Sequence, residues 1–293
     1  MKIDFPSHFG QIKNLLSDYL IEPEGGLDAV YQELHAYSSG LPSNIPYGKV
    51  WNFRAPYQTF LKSTGPELTT LAVDLPAFFK SPSGVQETLM VCAMDSLPPL
   101  PESTFWDGRG CKHGEDVGLW VPFSLIDDWD TPGGSLRSNA AFFRELLSRY
   151  NLYITDIFKV FFRIGSAGRY VVSNQIPEYT GLAHSHHPNV HAHILAEEIK
   201  VMDPVGIVTL GNNARNALIG VNERNHGHHQ TVRGWGNDLQ SYRWAGKVPV
   251  IALPHISGAA NGAKSSILNN PKYSGIEANF QNQKLAKIVL SNL

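Results

Sequence analysis

Apolar residues recur at helical spacing near the start of the chain, where Phe9, Ile12, Leu15, Leu16 and Tyr19 fall three or four apart. A second helix is expected over Leu27–Tyr37. Between Gly40 and Gly48, Pro42, Asn44 and Pro46 supply turn chemistry. The apolar stretch Leu68–Phe79 is expected to be helical in part. Four short apolar runs then read as buried strands: Thr88–Met94, Tyr153–Val160, Val205–Leu210 and Val248–Leu253. Helix-like segments are interspersed with them at Ser138–Tyr150, His191–Met202, Asn213–Leu218 and Leu285–Leu293. Buried strands alternating with helices predict an α/β fold, a three-layer α/β/α sandwich with a central, mainly parallel sheet of four or five strands. Residues 1–45 read as a helical N-terminal extension and residues 46–293 as one domain. Ligands of such sheets sit beyond the carboxyl ends of the strands, so the residues that follow each strand are where chemistry is expected.

The composition is that of an ordinary globular chain, with 42% hydrophobic and 17% charged residues among 293. A chain this long buries a core without disulfides. Its two cysteines, Cys92 and Cys111, read as reduced thiols. The charged, proline-bearing start is unlike a secretory leader, and no apolar run approaches the ~20 residues of a membrane span. A cytoplasmic monomer without membrane contact is therefore expected. The formal net charge of −2 is weak evidence against a nucleic-acid binder, since such proteins usually carry a basic excess. A local basic strip remains open: Arg224, Arg233, Arg243 and Lys247 lie between Arg215 and Lys264 with only Glu223 and Asp238 against them. Acids gather elsewhere, at Asp127, Asp128 and Asp130.

Asp95 closes the first strand, where a carboxylate can act as a base or face a developing cation; a loop cap is the plainer alternative. Gly118-Leu119-Trp120-Val121-Pro122-Phe123-Ser124 offers aromatic faces for a planar ligand, or simply core aromatics. Asp156 interrupts the apolar run of the second strand. A buried carboxylate is costly unless bonded, so it either meets a polar partner or reads a ligand. Leu210-Gly211-Asn212 carries the third strand into a helix, a place for a phosphate or for tight packing. His255 follows the last strand and precedes the small residues Ser257, Gly258, Ala259 and Ala260, which let a backbone approach a ligand.

This ordered set resembles the uracil-DNA glycosylase superfamily from about residue 45 to the end: strand–Asp, Gly-Leu…Phe-Ser, Thr-Asp, Leu-Gly-x-x-Ala, Leu-Pro-His-x-Ser. It looks closest to the single-strand-selective monofunctional branch and its bacterial relatives. Val50-Trp51-Asn52-Phe53 with Pro56-Tyr57 is similar to the opening segment of that branch. Ala93-Met94-Asp95-Ser96 matches the first motif with Ala and Ser for the usual Gly and Pro. His255-Ile256-Ser257-Gly258 matches the second with Ile for Pro. The resemblance implies a DNA partner, no cofactor, and a set of roles. Asp95 would position or activate water, His255 would stabilise charge on the leaving base, and Phe123 would stack on it. The stretch from His255 to Asn261 would enter the duplex, with Ser257, Gly258, Asn261 and Lys264 against DNA.

Where uracil readers of that superfamily carry Asn, this chain has Asp156. An Asn amide both donates and accepts; an ionised Asp only accepts. Facing uracil O4 it would set lone pairs against lone pairs, whereas cytosine presents an amino donor there. A protonated Asp156 would in addition donate to cytosine N3, and burial favours that form. A mismatch at a hydrogen-bonding site is worth roughly 10⁴-fold in discrimination. The expected substrate is thus a cytosine-derived base, and a modified one such as viruses place in their DNA, which makes an antiviral glycosylase. A conventional uracil-DNA glycosylase, a metal-dependent hydrolase and a non-catalytic DNA-binding homologue stand as alternatives. The metal reading draws on His184, His186, His187, His191 and His193 and on His226, His228 and His229, with no paired acidic signature beside them.

Overall fold

The computed structural model describes residues 6–19, 21–23, 27–29, 31–32, 51–53, 68–95, 118–120, 136–164, 171–172, 190–212, 214–215, 218, 242–256 and 260–293. In chain order the elements are α1 (Phe9–Tyr19), β1 (Ile21–Pro23), β2 (Trp51–Phe53), β3 (Leu68–Asp74), β4 (Ala77–Phe79), β5 (Thr88–Asp95) and β6 (Gly118–Trp120). Then come α2 (Leu136–Leu147), β7 (Asn151–Phe158), β8 (Val160–Ile164), β9 (Val171–Val172), α3 (Val190–Met202) and β10 (Gly206–Leu210). The chain closes with β11 (Tyr242–Trp244), β12 (Val248–Leu253), α4 (Asn261–Leu268) and α5 (Gln281–Leu290). No helix among the described residues is long and apolar enough to cross a membrane.

The fold is mixed α/β around a six-stranded mixed sheet in the order β11-β12-β10-β5-β7-β4. The four strands expected from the apolar runs are its four inner strands. β12, β10, β5 and β7 pair parallel, and these runs are continuous in apolar residues because both faces are covered. The expectation of four or five strands is corrected by two antiparallel edges, β11 on β12 and β4 on β7. β11 and β12 form a tight hairpin: Ala245 and Gly246 both have positive φ, and Lys247 N–H bonds Trp244 O at 2.9 Å.

The helical expectation for Leu68–Phe79 is also corrected. The stretch forms β3 and β4, separated by Leu75 and Pro76. Thr69, Thr70 and Val73 favour the extended chain, and Pro76 lacks the N–H that a helix would need. β3 belongs to a second sheet, of order β6-β3-β8-β9. Two neighbouring chain segments thus pass from one sheet to the other at the same corner, β3 into β4 through residues 75–76 and β7 into β8 through Lys159.

The first helix buries Phe9, Ile12 and Leu16, the face its spacing predicts. Phe9 meets the rings of Tyr31 and Tyr153 edge-on, at 5.2 and 6.4 Å between centroids. Phe9, Ile12, Leu16, Leu27 and Tyr31 therefore share one core cluster with the sheet. β1 further pairs with β2, Ile21 opposite Phe53. On α2, Phe142, Phe143 and Leu146 are buried, and α2 packs along α5, whose Leu285, Ile288 and Val289 are buried in turn.

Candidate functional site

The carboxyl ends of the four parallel strands bring the candidate residues to one edge. Asp95 is the last residue of β5 and lies opposite Phe158 in the register; two residues earlier, Ala93 lies opposite Asp156. Leu253 pairs with Leu210 at the end of β12, and His255 follows two residues on. Standard strand spacings put the backbones of Asp95 and Asp156 about 8 Å apart and those of Asp95 and His255 about 10 Å apart.

β10 ends between Asp95 and His255. Gly211 there has φ +95°, a conformation that side chains rarely adopt, and its N–H bonds Leu253 O at 2.7 Å. A Cβ on Gly211 would stand 3.8 Å from the Cβ of His255. The glycine both permits the turn and brings the two strand ends close.

The His255 turn is clamped from below. Ile256 O accepts from Lys264 Nζ at 3.2 Å and from Asn282 Nδ2 at 2.9 Å. Asn282 also donates to Asn139 Oδ1 at 2.9 Å and accepts from Lys264 at 3.3 Å, so α2, α4 and α5 all hold this turn. Burial and then the Lys264 charge push the His255 pKa below its ordinary value, so its imidazole is neutral near pH 7. Burial likewise lowers the pKa of Lys264.

Lys264 was expected against DNA. The residue is 3% exposed and its ammonium is turned inward onto Ile256 O and Asn282 Oδ1. Asn261, by contrast, is exposed as the first residue of α4. This helix occupies a stretch with no helix in the sequence reading. Phe123, Ser257 and Gly258 lie outside the described residues, as do Cys111 and His184, His186, His187, His226, His228 and His229. β6 runs parallel to β3, with Trp120 opposite Asp74. Among the described residues no group of His, Cys, Asp and Glu is arranged to hold a metal ion.

Asp156 is 2% exposed, so the polar residue that interrupts the apolar run is fully enclosed. Its neighbours include a buried charged cluster that the sequence reading did not contain. Lys159 Nζ lies 3.1 Å from Asp74 Oδ2 and 2.8 Å from Glu198 Oε2, all three side chains inaccessible to solvent. Lys159 also bonds Thr155 Oγ1, and Tyr153 OH donates to Glu198 Oε1 at 2.7 Å. Tyr153 and Thr155 are two apart on β7 and face α3; Asp156 falls on the opposite face.

Burial raises the Asp74 pKa from 3.8 to about 6, since the pull of Lys159 is partly offset by Glu198. Burial lowers the Lys159 pKa, but Glu198 and Asp74 outweigh it and the net shift is upward. Removing one member of such a buried pair typically costs about 3–5 kcal/mol, because the partner is left charged in a dry site. A signal for the cluster was present in Lys159, a cation directly after an apolar strand. Its partners Asp74 and Glu198 were hidden in segments read only as helices.

A surface cavity of about 710 Å³ lined by Glu87, Glu145, Arg149 and Lys287 sits at the amino ends of β5 and β7. That is the end opposite the Asp95–His255 edge, and the side of a parallel sheet where ligands are not expected. No protein-family model matches the chain, and no curated protein matches it either.

Proposed function

We propose that the protein is a monofunctional DNA glycosylase, hydrolysing the N-glycosidic bond of a flipped pyrimidine and taking a cytosine-derived base in preference to uracil. The observation that carries this reading is Asp156, a fully enclosed acid inside a buried strand, one strand from Asp95 and at the same sheet edge as His255. The order of the motifs along the sequence supports it, with the resemblance to the uracil-DNA glycosylase superfamily they carry. In this reading the fold is a three-layer α/β/α sandwich and the protein a cytoplasmic monomer acting on DNA, the target modified as in viral genomes.

The chemistry follows from the positions. The target base leaves the stack, because its glycosidic bond is hidden in the duplex. Asp95 holds the attacking water and faces the cationic character that develops on the sugar. The water oxygen bonds to C1′ and passes a proton to the Asp95 carboxylate as the C1′–N bond breaks; the base departs with that electron pair and is protonated in turn. His255, neutral near pH 7, donates a ring N–H to the oxygen where negative charge collects. Asp156 accepts from the exocyclic amino group of cytosine, a contact uracil O4 cannot make. Phe123 stacks on the base, while Ser257, Gly258 and Asn261 enter the DNA. Hydrolysis on this plan requires no cofactor and no Schiff base.

The test is a paired cleavage assay of the unmodified protein and Asp156→Asn on DNA carrying uracil or a 5-modified cytosine. The Asn variant is expected to lose activity on the cytosine-type base and to gain it on uracil. Efficient uracil cleavage by the unmodified protein, with no improvement in the variant, would refute the assignment of Asp156.

A further inference from the structure

We infer that Asp74 is a positioning residue for base recognition: its carboxylate, held by Lys159 and Thr155, stands in for a missing strand partner of β7 and fixes how Asp156 is presented. The inference rests on the reading of Asp156 as the base reader.

β4 covers the outer side of β7 only along Leu152, Tyr153 and Ile154. Beyond Ala77 the chain turns through Pro76 and Leu75 into β3, and the ladder stops. The N–H of Asp156 points to that vacated side, since it lies two residues past Ile154. Its acceptor is Asp74 Oδ2, at 3.0 Å. A side chain thus completes the ladder where a strand would otherwise run.

The same oxygen accepts from Thr155 Oγ1 at 3.0 Å and from Lys159 Nζ at 3.1 Å. The backbone N–H of Asp74 donates to Lys159 O at 2.8 Å. Residues on both flanks of Asp156 are therefore referenced to one carboxylate. Asp74 Oδ1 accepts no hydrogen bond among the described residues, so the carboxylate is held through a single oxygen that takes three donors.

Such a centre is a poor way to gain stability. Well-packed apolar residues of similar volume serve as well or better than a buried ion pair. What it supplies is direction: three donors converging on one oxygen at a corner between two sheets. The corner matters because β3, the strand that ends in Asp74, also carries β6 in register, Trp120 opposite Asp74. β6 and the strand bearing the base reader share one fixed point.

The experiment compares Asp74→Ala, Asp74→Asn and Asp156→Asn in the full chain. Two quantities are read: the ratio of kcat/KM on oligonucleotides carrying 5-hydroxymethylcytosine and uracil, and amide hydrogen exchange at Asp156 against Ile154. The ratio does not depend on the fraction of folded enzyme. Asp74→Ala is expected to lower it by on the order of 10- to 100-fold. Exchange at Asp156 should rise while Ile154 stays protected. Asp74→Asn, whose amide oxygen still accepts from the Asp156 N–H, should retain most of both. A folded Asp74→Ala with an unchanged ratio and unchanged exchange at Asp156 would overturn the inference, as would a fall in stability alone.

If Asp74→Ala does not fold, Thr155→Val removes one donor to the same oxygen without changing charge. It should lower the ratio less, and an unchanged ratio there is equally decisive. If Asp156→Asn itself leaves the ratio unchanged, the base-reading assignment has failed. Exchange at Asp156 then judges on its own whether Asp74 positions that residue.

Discussion

Asn282→Ala tests whether the clamp beneath His255 does what its geometry implies. The side chain is 1% exposed, and truncation removes two donated bonds, to Ile256 O and Asn139 Oδ1, and one accepted from Lys264. At about 1 kcal/mol for each neutral bond and slightly more for the one from the ammonium, the loss comes to about 3 kcal/mol. Ile256 O keeps Lys264 as a donor, so its desolvation cost is not added. For a domain of this size that is a fall in Tm of about 6–12 °C. His255 loses one of the two donors that fix its turn, and cleavage should slow by on the order of 10-fold or more, in kcat rather than KM. Thermal melts at pH 7 and steady-state cleavage of 5-hydroxymethylcytosine DNA measure the two effects. Asn139→Ala, which removes only one acceptor, serves as the small control at about 1 kcal/mol. A fall in Tm below about 2 °C would show that the network does not hold the turn. A fall as expected with unchanged kcat would show that it holds the turn without orienting His255.

The Asp74 carboxyl gives a pH signature of definite sign. With its pKa raised from 3.8 to about 6, the folded state keeps a proton in this window that the unfolded chain releases. The stability it contributes is full below 3.8 and is lost as pH rises through 6, by about 3 kcal/mol. Lys159, Glu198, Tyr31 and Tyr153 face the group, so urea unfolding of the unmodified protein and Asp74→Asn at pH 4 and pH 7 isolates it by difference; parallel pH curves would refute the assignment. Cys92 is buried and its pKa is driven far above the ordinary thiol range by burial. The native protein should resist alkylation of Cys92 at pH 8, with mass spectrometry showing modification only as fast as global unfolding; rapid modification would contradict its burial.

The inner sheet was legible because each of its strands is apolar on both faces, a signal that survives in a short window. The edges were not. Ala77-Phe78-Phe79 and Tyr242-Arg243-Trp244 are three residues long, and what makes them strands is the partner beside them. Leu68–Phe79 misled because an apolar run of that length fits a buried helix as well as two strands, and only the Thr and Pro content separates them. That Asp95, Asp156 and His255 gather at one sheet edge was legible because strand ends can be read from the sequence and parallel strands end together. Asp74 and Glu198 could not be found, because their meeting with Lys159 joins elements far apart in sequence. The burial of Lys264 was hidden for a related reason: nothing local announces that helix α4 turns it inward.

The two short edge strands also bear on solubility. A sheet whose outermost strand is long and apolar offers its unpaired backbone to other copies of itself, the first step toward fibrils. Here β12 and β7 are shielded by strands of three residues, and the β11 hairpin sets Arg243 and the nearby Lys247 in solvent. Shaving either flank would bare the apolar run Asn151–Phe158 or Val248–Leu253. The chain would then be exposed to self-templated aggregation with its inner sheet still in place. Short, charged edges act against self-association, a property separate from any ligand site.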